Sequence, residues 1–509
     1  MPQYNGFRTV PKIAIDDKDT LSLVYTPGVG ASCLKISQNP EAAAVLTNKI
    51  NSVAVIAFDY EKALKRAIFL KSVLLIDAYP LSIKPGTSKE DLKFAIENIE
   101  INFCAIDLSL IEGFFKTNGD ISFDVSIPVL KEPVSDLKDF FGAISRNVFM
   151  IDTSKLKGDV SERSLQLHEL AGGVIEIELT EQKRNKPVAI VSDGTAVLGY
   201  GNIGALASIP VMEGKAALYA ELADVDSMVF CVKTQNTDEI LKIVEMFADS
   251  FSGIHLEDIA APSCFEIEEK LTQKLNIPVF HDDQHGTAII VLAGLLNALV
   301  LEEKEISKIK IVISGAGAAG NAVAKLLLFA GAKNIVMTDI NGAIYKGRES
   351  NDKYLEELAQ MTNPNDERTN LKDIIKNADV FIGVSKGGLL TEEMVQSMEY
   401  KPIVFALANP TPEIMPEDAK HAGVYIISTG RSDFENQINN ALAYPGLFKG
   451  LIDGNINKVT DEIKLECALM IASMVPTDEL TPENIMPDPL DRMVPLSIAN
   501  TIVGKFKKG

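Results

Sequence analysis

The sequence predicts an α/β chain of several domains built on doubly wound parallel sheets. Three observations carry this. Apolar strand-like runs alternate with amphipathic helix-like stretches, a glycine-rich turn sits between one such strand and helix, and a stretch of the first third recurs loosely later on.

Residues 187–300 contain the runs PVAIVSD, DSMVFCV and IPVF, with DEILKIVEMFADSF between them. Residues 308–430 contain KIKIVIS, NIVMTDI, DVFIGVS, PIVFALA and VYIIST, again separated by helix-like stretches. Runs of Val and Ile without a polar face, joined by helices, indicate parallel strands covered on both sides. Charge interrupts the apolar pattern at LEEKEIS (301–307), which is the expected boundary between the two large domains. Residues 455–509 read as helical, with KVTDEIKLECALMIASMV ending in a charged KFKKG.

The internal repeat pairs IDAYPLSIKPGTSKEDLKFAIENIEINFCAIDLSLI (76–111) with VDSMVFCVKTQNTDEILKIVEMFADSFSGIHLEDI (225–259), at a lag of 147–149 residues. Upstream, NSVAVI (51–56) matches KPVAIV (186–191). Ordered similarity over this length favours duplication over generic α/β periodicity. The expected division is therefore 1–51 with 186–300, an inserted degenerate repeat at 52–185, a domain at 301–455 and a helical segment at 456–509. At a lag of 148, Ser109 stands opposite Glu257 and Leu110 opposite Asp258, so the first copy lacks the carboxylates of the second.

The chain has 509 residues and a formal net charge of −21, which makes nucleic acid and anionic membranes poor partners. Five cysteines without CxxC spacing read as reduced thiols. No stretch approaches the 18 apolar residues of a membrane span, and the first residues, MPQYNGFRTV, have no apolar signal core. A cytoplasmic location is expected.

Gly315-Ala-Gly317-Ala-Ala-Gly320 follows the strand KIKIVIS and opens the helix AAGNAVAKLLLFAG. The glycines allow a tight turn and let backbone N–H groups approach a pyrophosphate at a helix N-terminus. The next strand ends at Asp339, 19 residues after Gly320, where a carboxylate meets the ribose. Strand, turn, helix, strand and acid in this order predict a Rossmann-type NAD(P)-binding domain. Asp339 favours NAD, and Lys346 and Arg348 downstream could offset repulsion of the NADP phosphate. A second match, Gly199-Tyr-Gly201-Asn-Ile-Gly204, fails the same test, because Asp224 precedes a strand instead of ending one.

Glu257 and Asp258 in HLEDI, and Asp282 and Asp283 in FHDDQHGTA, each follow an apolar segment. The C-terminal ends of parallel strands are where α/β proteins place chemistry. Carboxylates converging there would repel one another without a cation, and hard oxygen donors suit Mg²⁺ or Mn²⁺. The alternatives are a zinc pair of His281 and His285, or solvated surface acids.

LVYTPGVG (23–30), VSDGTAVLGYGNIG (191–204), PVMEGKAALY (210–219), HLEDI (255–259), FHDDQHGTA (280–288), SGAGAAG (314–320), FALANPTPE (405–413) and TGRSDFENQINNAL (429–442) together resemble the malic enzyme signatures, in the family's order. The resemblance covers residues 1–50 and about 186–509. It implies a metal bound by Glu257, Asp258 and Asp283 and supported by Asp282, with Lys215 as general base and Tyr25 as general acid. It further implies substrate contacts from Asn409, Asn439 and Asn440, Asn409 also reaching the nicotinamide end. A dinucleotide, NAD or NADP, would lie on Gly315, Gly317, Ala318, Ala319, Gly320 and Asp339.

The implied reaction is metal-dependent oxidation and decarboxylation of malate to pyruvate. A base must take the C2 hydroxyl proton, a cation stabilises the enolate left by CO₂ loss, and an acid protonates C3. The nearest rival is a malolactic reaction with retained NAD and lactate as product. A non-catalytic nucleotide or malate sensor is disfavoured by the intact Lys215, Tyr25 and carboxylates. The resemblance also implies a homodimer or larger homo-oligomer. Because of the insertion, the sequence leaves open whether Tyr25 serves its own chain or a neighbour.

Overall fold

Short runs of β-branched residues become strands buried on both faces, and the stretches between them become helices that cover those faces. This computed structural model describes residues 4–111, 114–115, 122–125, 127–131 and 156–507. The chain forms two compact units, one of Met1–Ile259 with Glu266–Val279 and one of Ala260–Phe265 with Phe280–Gly509.

In the first unit, strand β1 (Gly6–Pro11) leads into helix α1 (Lys18–Val24), which Asp17 caps in a reciprocal bond with Thr20. Strands β2 (Ser52–Ala57), β3 (Asp77–Ser82), β4 (Ala105–Asp107) and β5 (Val129–Leu130) then form a parallel sheet in the order β3-β2-β4-β5. Helices α2 (Tyr60–Leu74) and α3 (Lys89–Ile99) are its crossovers. Strand β6 (Ile175–Thr180) returns antiparallel to β1. Strands β7 (Val188–Val191), β8 (Ser227–Val229), β9 (Gly253–Leu256) and β10 (Val279–His281) form the second sheet in the order β10-β9-β7-β8, crossed by helices α4 (Ala205–Ala223) and α5 (Thr237–Phe247).

The two sheets repeat one plan. Each reads second-first-third-fourth in its own chain order. Val53 pairs with Ala105 in one and Val188 with Gly253 in the other, so Ala105 takes the place of Gly253 and the lag of 148 is reproduced in register. α2 and α4 both end in a left-handed residue, Leu75 and Asp224, and a 3₁₀ turn follows both α3 and α5. The two sheets therefore share strand order and register, as a duplication requires. The residues expected at 132–155 of the insertion lie outside the described residues.

The copies face each other about a local pseudo-two-fold. Asn102 brackets the backbone of Cys231, donating to its carbonyl at 2.8 Å and accepting from its N–H at 2.9 Å. The equivalent pair, Ser250 and Ser82, makes the reciprocal contact at 2.7 Å. Lys242 lies 5.6 Å above the ring of Phe94, its own counterpart in the repeat. The ends of the inserted copy are pinned from inside. Lys12 donates to Asn48 Oδ1 and to the carbonyls of Ala171 and Gly172, and Glu213 on α4 accepts from the N–H groups of Asn48 and Val174. Burial pushes the Glu213 carboxyl up to about 7 and lowers the Lys12 ammonium.

The second unit begins sooner than charge patterning suggests. Helix α6 (Thr287–Glu302) was expected to close the first domain, yet it packs on α7 (Ala318–Phe329) and α8 (Asp461–Ser473), and LEEKEIS only connects it to the next strand. An all-round apolar helix needs cover on every side, and these helices supply it. The segment Asp282–Glu302 is also long and apolar enough to cross a membrane, contrary to the sequence reading, but it is mostly buried within the protein. The C-terminal helix α9 (Met493–Phe506) packs on α8 and on helix Tyr444–Asp453, so the tail from 456 belongs to this unit. The sheet runs β13-β12-β11-β14-β15-β16, from β11 (Lys310–Ser314), β12 (Asn334–Asp339), β13 (Gly342–Ala343), β14 (Val380–Gly383), β15 (Ile403–Ala406) and β16 (Ile426–Thr429). All pairs are parallel except the β12–β13 hairpin. The order reverses between β11 and β14, the switch point where α/β sheets bind ligands.

Candidate active site

In the first unit the chemistry gathers at the C-terminal end of β9 and on the inner face of α4. Lys215 is fully buried, and its Nζ lies 3.1 Å from Glu257 Oε1. The other oxygen of Glu257 meets His255 Nε2 at 2.9 Å, and His255 Nδ1 meets the hydroxyl of Tyr219 at 2.8 Å. Sequence reasoning passed over His255 and Tyr219, although the signal was present. His255 stands two residues before Glu257 on a strand, and Tyr219 four after Lys215 on a helix, so each shares its partner's face.

Tyr25 reaches this group because of a glycine. A Cβ on Gly214 would lie 2.2 Å from the Val24 carbonyl oxygen, so only glycine lets the end of α1 pack this close to α4. Tyr25 is buried, and the Lys215 ammonium is 5.4 Å from its ring centroid. Tyr25 therefore stands beside Lys215 of its own chain. Asp258 is 3% exposed and has φ of +54°, a left-handed conformation that aspartate tolerates better than most residues. The loop Gly199–Gly204 runs into α4, and Asp224 caps the far end of that helix, in keeping with its exclusion as a dinucleotide turn.

In the second unit Asp282 is fully buried. Asn440 Nδ2 lies 3.3 Å from Asp282 Oδ2 and the same distance from Thr287 Oγ1. Asp283 meets His281 Nε2 at 3.3 Å. Asn439 is buried and caps the following turn through the N–H of Ala441, while its Nδ2 has no partner among the described residues. Asn409 is exposed beyond the end of β15, with its amide nitrogen 3.1 Å from the Cβ position of Gly430. The zinc reading of His281 and His285 loses its premise. His281 closes β10 and is not on a regular helix, so the two do not form an i, i+4 pair on one helical face.

The glycine-rich turn sits at the switch point. Gly315 has φ of +112°, and a Cβ there would lie 2.6 Å from the Val384 carbonyl oxygen. A Cβ on Gly320 would fall 1.9 Å from the Gly315 carbonyl oxygen, while Gly317 faces open space beside Ala318 and Ala319, the first residues of α7. This is a cradle shaped for a pyrophosphate. Asp339 ends β12 as expected, but Arg348 grips it with Nη1 at 2.8 Å and Nη2 at 2.5 Å. Arg348 is thus bound to Asp339 itself, a pairing that separation in sequence does not reveal.

The chain is similar to known proteins. Residues 284–505 match the family model "Malic enzyme, NAD binding domain", and residues 172–272 match "Malic enzyme, N-terminal domain". A bifunctional malic/malolactic enzyme of Bacillus subtilis is 49% identical over 344 residues, covering 67% of this chain and 83% of the relative. The chain belongs to the malic enzyme family. An NAD-dependent malic enzyme of Geobacillus stearothermophilus is 51% identical over 321 residues, covering 63% of this chain and 67% of the relative. Among solved structures, the NAD-dependent malic enzyme of Thermotoga maritima matches with TM-score 0.61 and 45% identity, over 63% of this chain and 84% of the other. The malic enzyme of Entamoeba histolytica matches with TM-score 0.62 and 30% identity, over 83% of this chain and 84% of the other. Neither family model reaches residues 1–171, which hold Tyr25 and most of the first copy of the repeat. The second unit is an NAD-binding domain of this family, and the chain is an NAD(P)-dependent oxidoreductase.

Proposed function

We propose that this chain oxidises and decarboxylates malate to pyruvate and CO₂ with reduction of NAD or NADP. One observation carries the reading: a fully buried Lys215 held between Glu257 and Tyr25, in a chain of the malic enzyme family. Lys215 takes the proton from the C2 hydroxyl, and Tyr25 returns a proton to C3 after CO₂ has left. Glu257 holds the lysine at 3.1 Å, and burial of both excludes water that would compete for the proton.

The donor set fits a divalent metal. Glu257 and Asp258 are buried carboxylates at the end of β9, and Asp283 follows the neighbouring strand β10. Hard oxygens of this kind suit Mg²⁺ or Mn²⁺. When bound, the cation supplies a Lewis acid at the C2 oxygen and the dinucleotide supplies the hydride acceptor. Asp282 orients this group through Asn440, while Asn409, Asn439 and Asn440 hold substrate carboxylates, Asn409 also reaching the nicotinamide end. Gly315, Gly317, Ala318, Ala319, Gly320 and Asp339 bind the dinucleotide. Residues 52–185 act as a lobe without a metal site of its own, since Ser109 and Leu110 stand where the second copy has Glu257 and Asp258.

The similarity to a bifunctional malic/malolactic enzyme of Bacillus subtilis favours a malolactic reaction as the second reading. Adding malate and Mn²⁺ to enzyme with NAD, and separately with NADP, is expected to produce reduced nicotinamide absorbance. Malate consumption with no such absorbance would replace the first reading by the second. The enzyme is further proposed to be a homodimer or larger, acting in the cytoplasm, where its five free thiols would stay reduced. Light scattering that gave the mass of one chain at assay concentration would refute the assembly.

A further inference from the structure

A cleft of about 500 Å³ opens in the first unit away from Lys215. One wall is the first turn of α2 in the inserted copy, with Tyr60, Glu61 and Leu64. The others are Asn5, Gly6 and Phe7 at the start of β1 and Lys183–Lys186 between β6 and β7. Because α2 follows β2, the cleft lies at the C-terminal end of the inserted sheet, the end at which α/β sheets receive ligands. In the second copy the corresponding end carries Lys215 and Glu257. The inserted copy has lost those groups but keeps a cleft of ligand size.

The lining runs against the charge of the chain. Three bases and one acid face a space in a protein whose net charge is −21. Arg184 is committed, donating to Asp226 at 2.8 Å and to Asp224 at 2.9 Å. Lys186 donates to the Asp249 carbonyl and lies 4.9 Å over the Tyr60 ring, which leaves donors to spare. Lys183 is exposed and has no ion pair or hydrogen bond among the described residues. Two ammonium groups, with Tyr60, Phe7 and Leu64 in the same lining, offer charge to an anion and apolar surface to a flat body.

We propose that this cleft is a binding site for a small organic anion with a flat body, of the size of an aryl phosphate. Arg184, in the same segment as Lys183 and Lys186, holds Asp224, the residue that ends α4.

The chain contains no tryptophan, so a single one reports this cleft alone. In Glu61→Trp enzyme saturated with NAD to fill the dinucleotide site, phenyl phosphate is expected to change tryptophan emission saturably. Adding Lys183→Glu and Lys186→Glu should weaken that binding by about tenfold or more. Calorimetry of phenyl phosphate on the NAD-saturated unmodified enzyme and on the two-lysine variant makes the same comparison without the tryptophan. Absence of saturable binding, or binding unaffected by the charge reversals, would overturn the proposal.

Discussion

Replacing Lys215 by alanine is expected to lower kcat by about 10²–10⁴-fold while the affinity for NAD or NADP stays nearly unchanged. The ammonium is fully buried and 3.1 Å from Glu257, whereas the dinucleotide turn belongs to the other unit. A group that moves the hydroxyl proton acts on the reacting atoms and contributes nothing to the pyrophosphate cradle. Alanine also leaves a void and strips Glu257 of one partner, so lost activity could reflect disturbed packing. Lys215→Met separates the two, because it fills nearly the same volume without an amine. Both variants should be inactive, with cofactor titrations close to wild type. A kcat within a few-fold of wild type in the methionine variant would remove Lys215 from the role of base.

Asp258→Asn is expected to raise the Mn²⁺ concentration needed for half-maximal activity by about tenfold or more, with a smaller loss of kcat at saturating metal. An amide keeps the size of the side chain but removes a negative charge from a divalent site, and ligand charge sets affinity there. Asparagine is also the conservative choice for the backbone, since Asp258 sits at φ of +54° and asparagine tolerates that region. A fold defect is therefore not the expected cause of any change. The measurement is activity against Mn²⁺ at fixed malate and cofactor, with circular dichroism to check the fold. Unchanged metal dependence would exclude Asp258 as a ligand.

Lys215 was picked out in the sequence through the family resemblance and Asp258 also through its place after an apolar run, whereas the glycine-rich turn was legible for a local reason. Gly315, Gly317 and Gly320 stand between a strand and a helix because that turn needs a positive φ at its start and an absent side chain where Gly320 meets Gly315. Asp339 ends the next strand for the same short-range reason. The repeat was legible because strand and helix periods survive even where polar groups have drifted, so Val53 and Val188 still pair with equivalent residues.

What the amino-acid sequence determined by itself was the set of elements, the duplicated strand plan and the cofactor turn, all written in spacings of a few residues. The tertiary structure decided which distant residues meet. Tyr25 reaches Lys215 because Gly214 admits the Val24 carbonyl, and Arg348 folds back onto Asp339. It also decided that α6 belongs to the second unit, against a boundary suggested by charge. The physical reason is common to all three. Periodicity records which face of an element is apolar, whereas the partner that covers that face is chosen by packing among elements far apart in the chain.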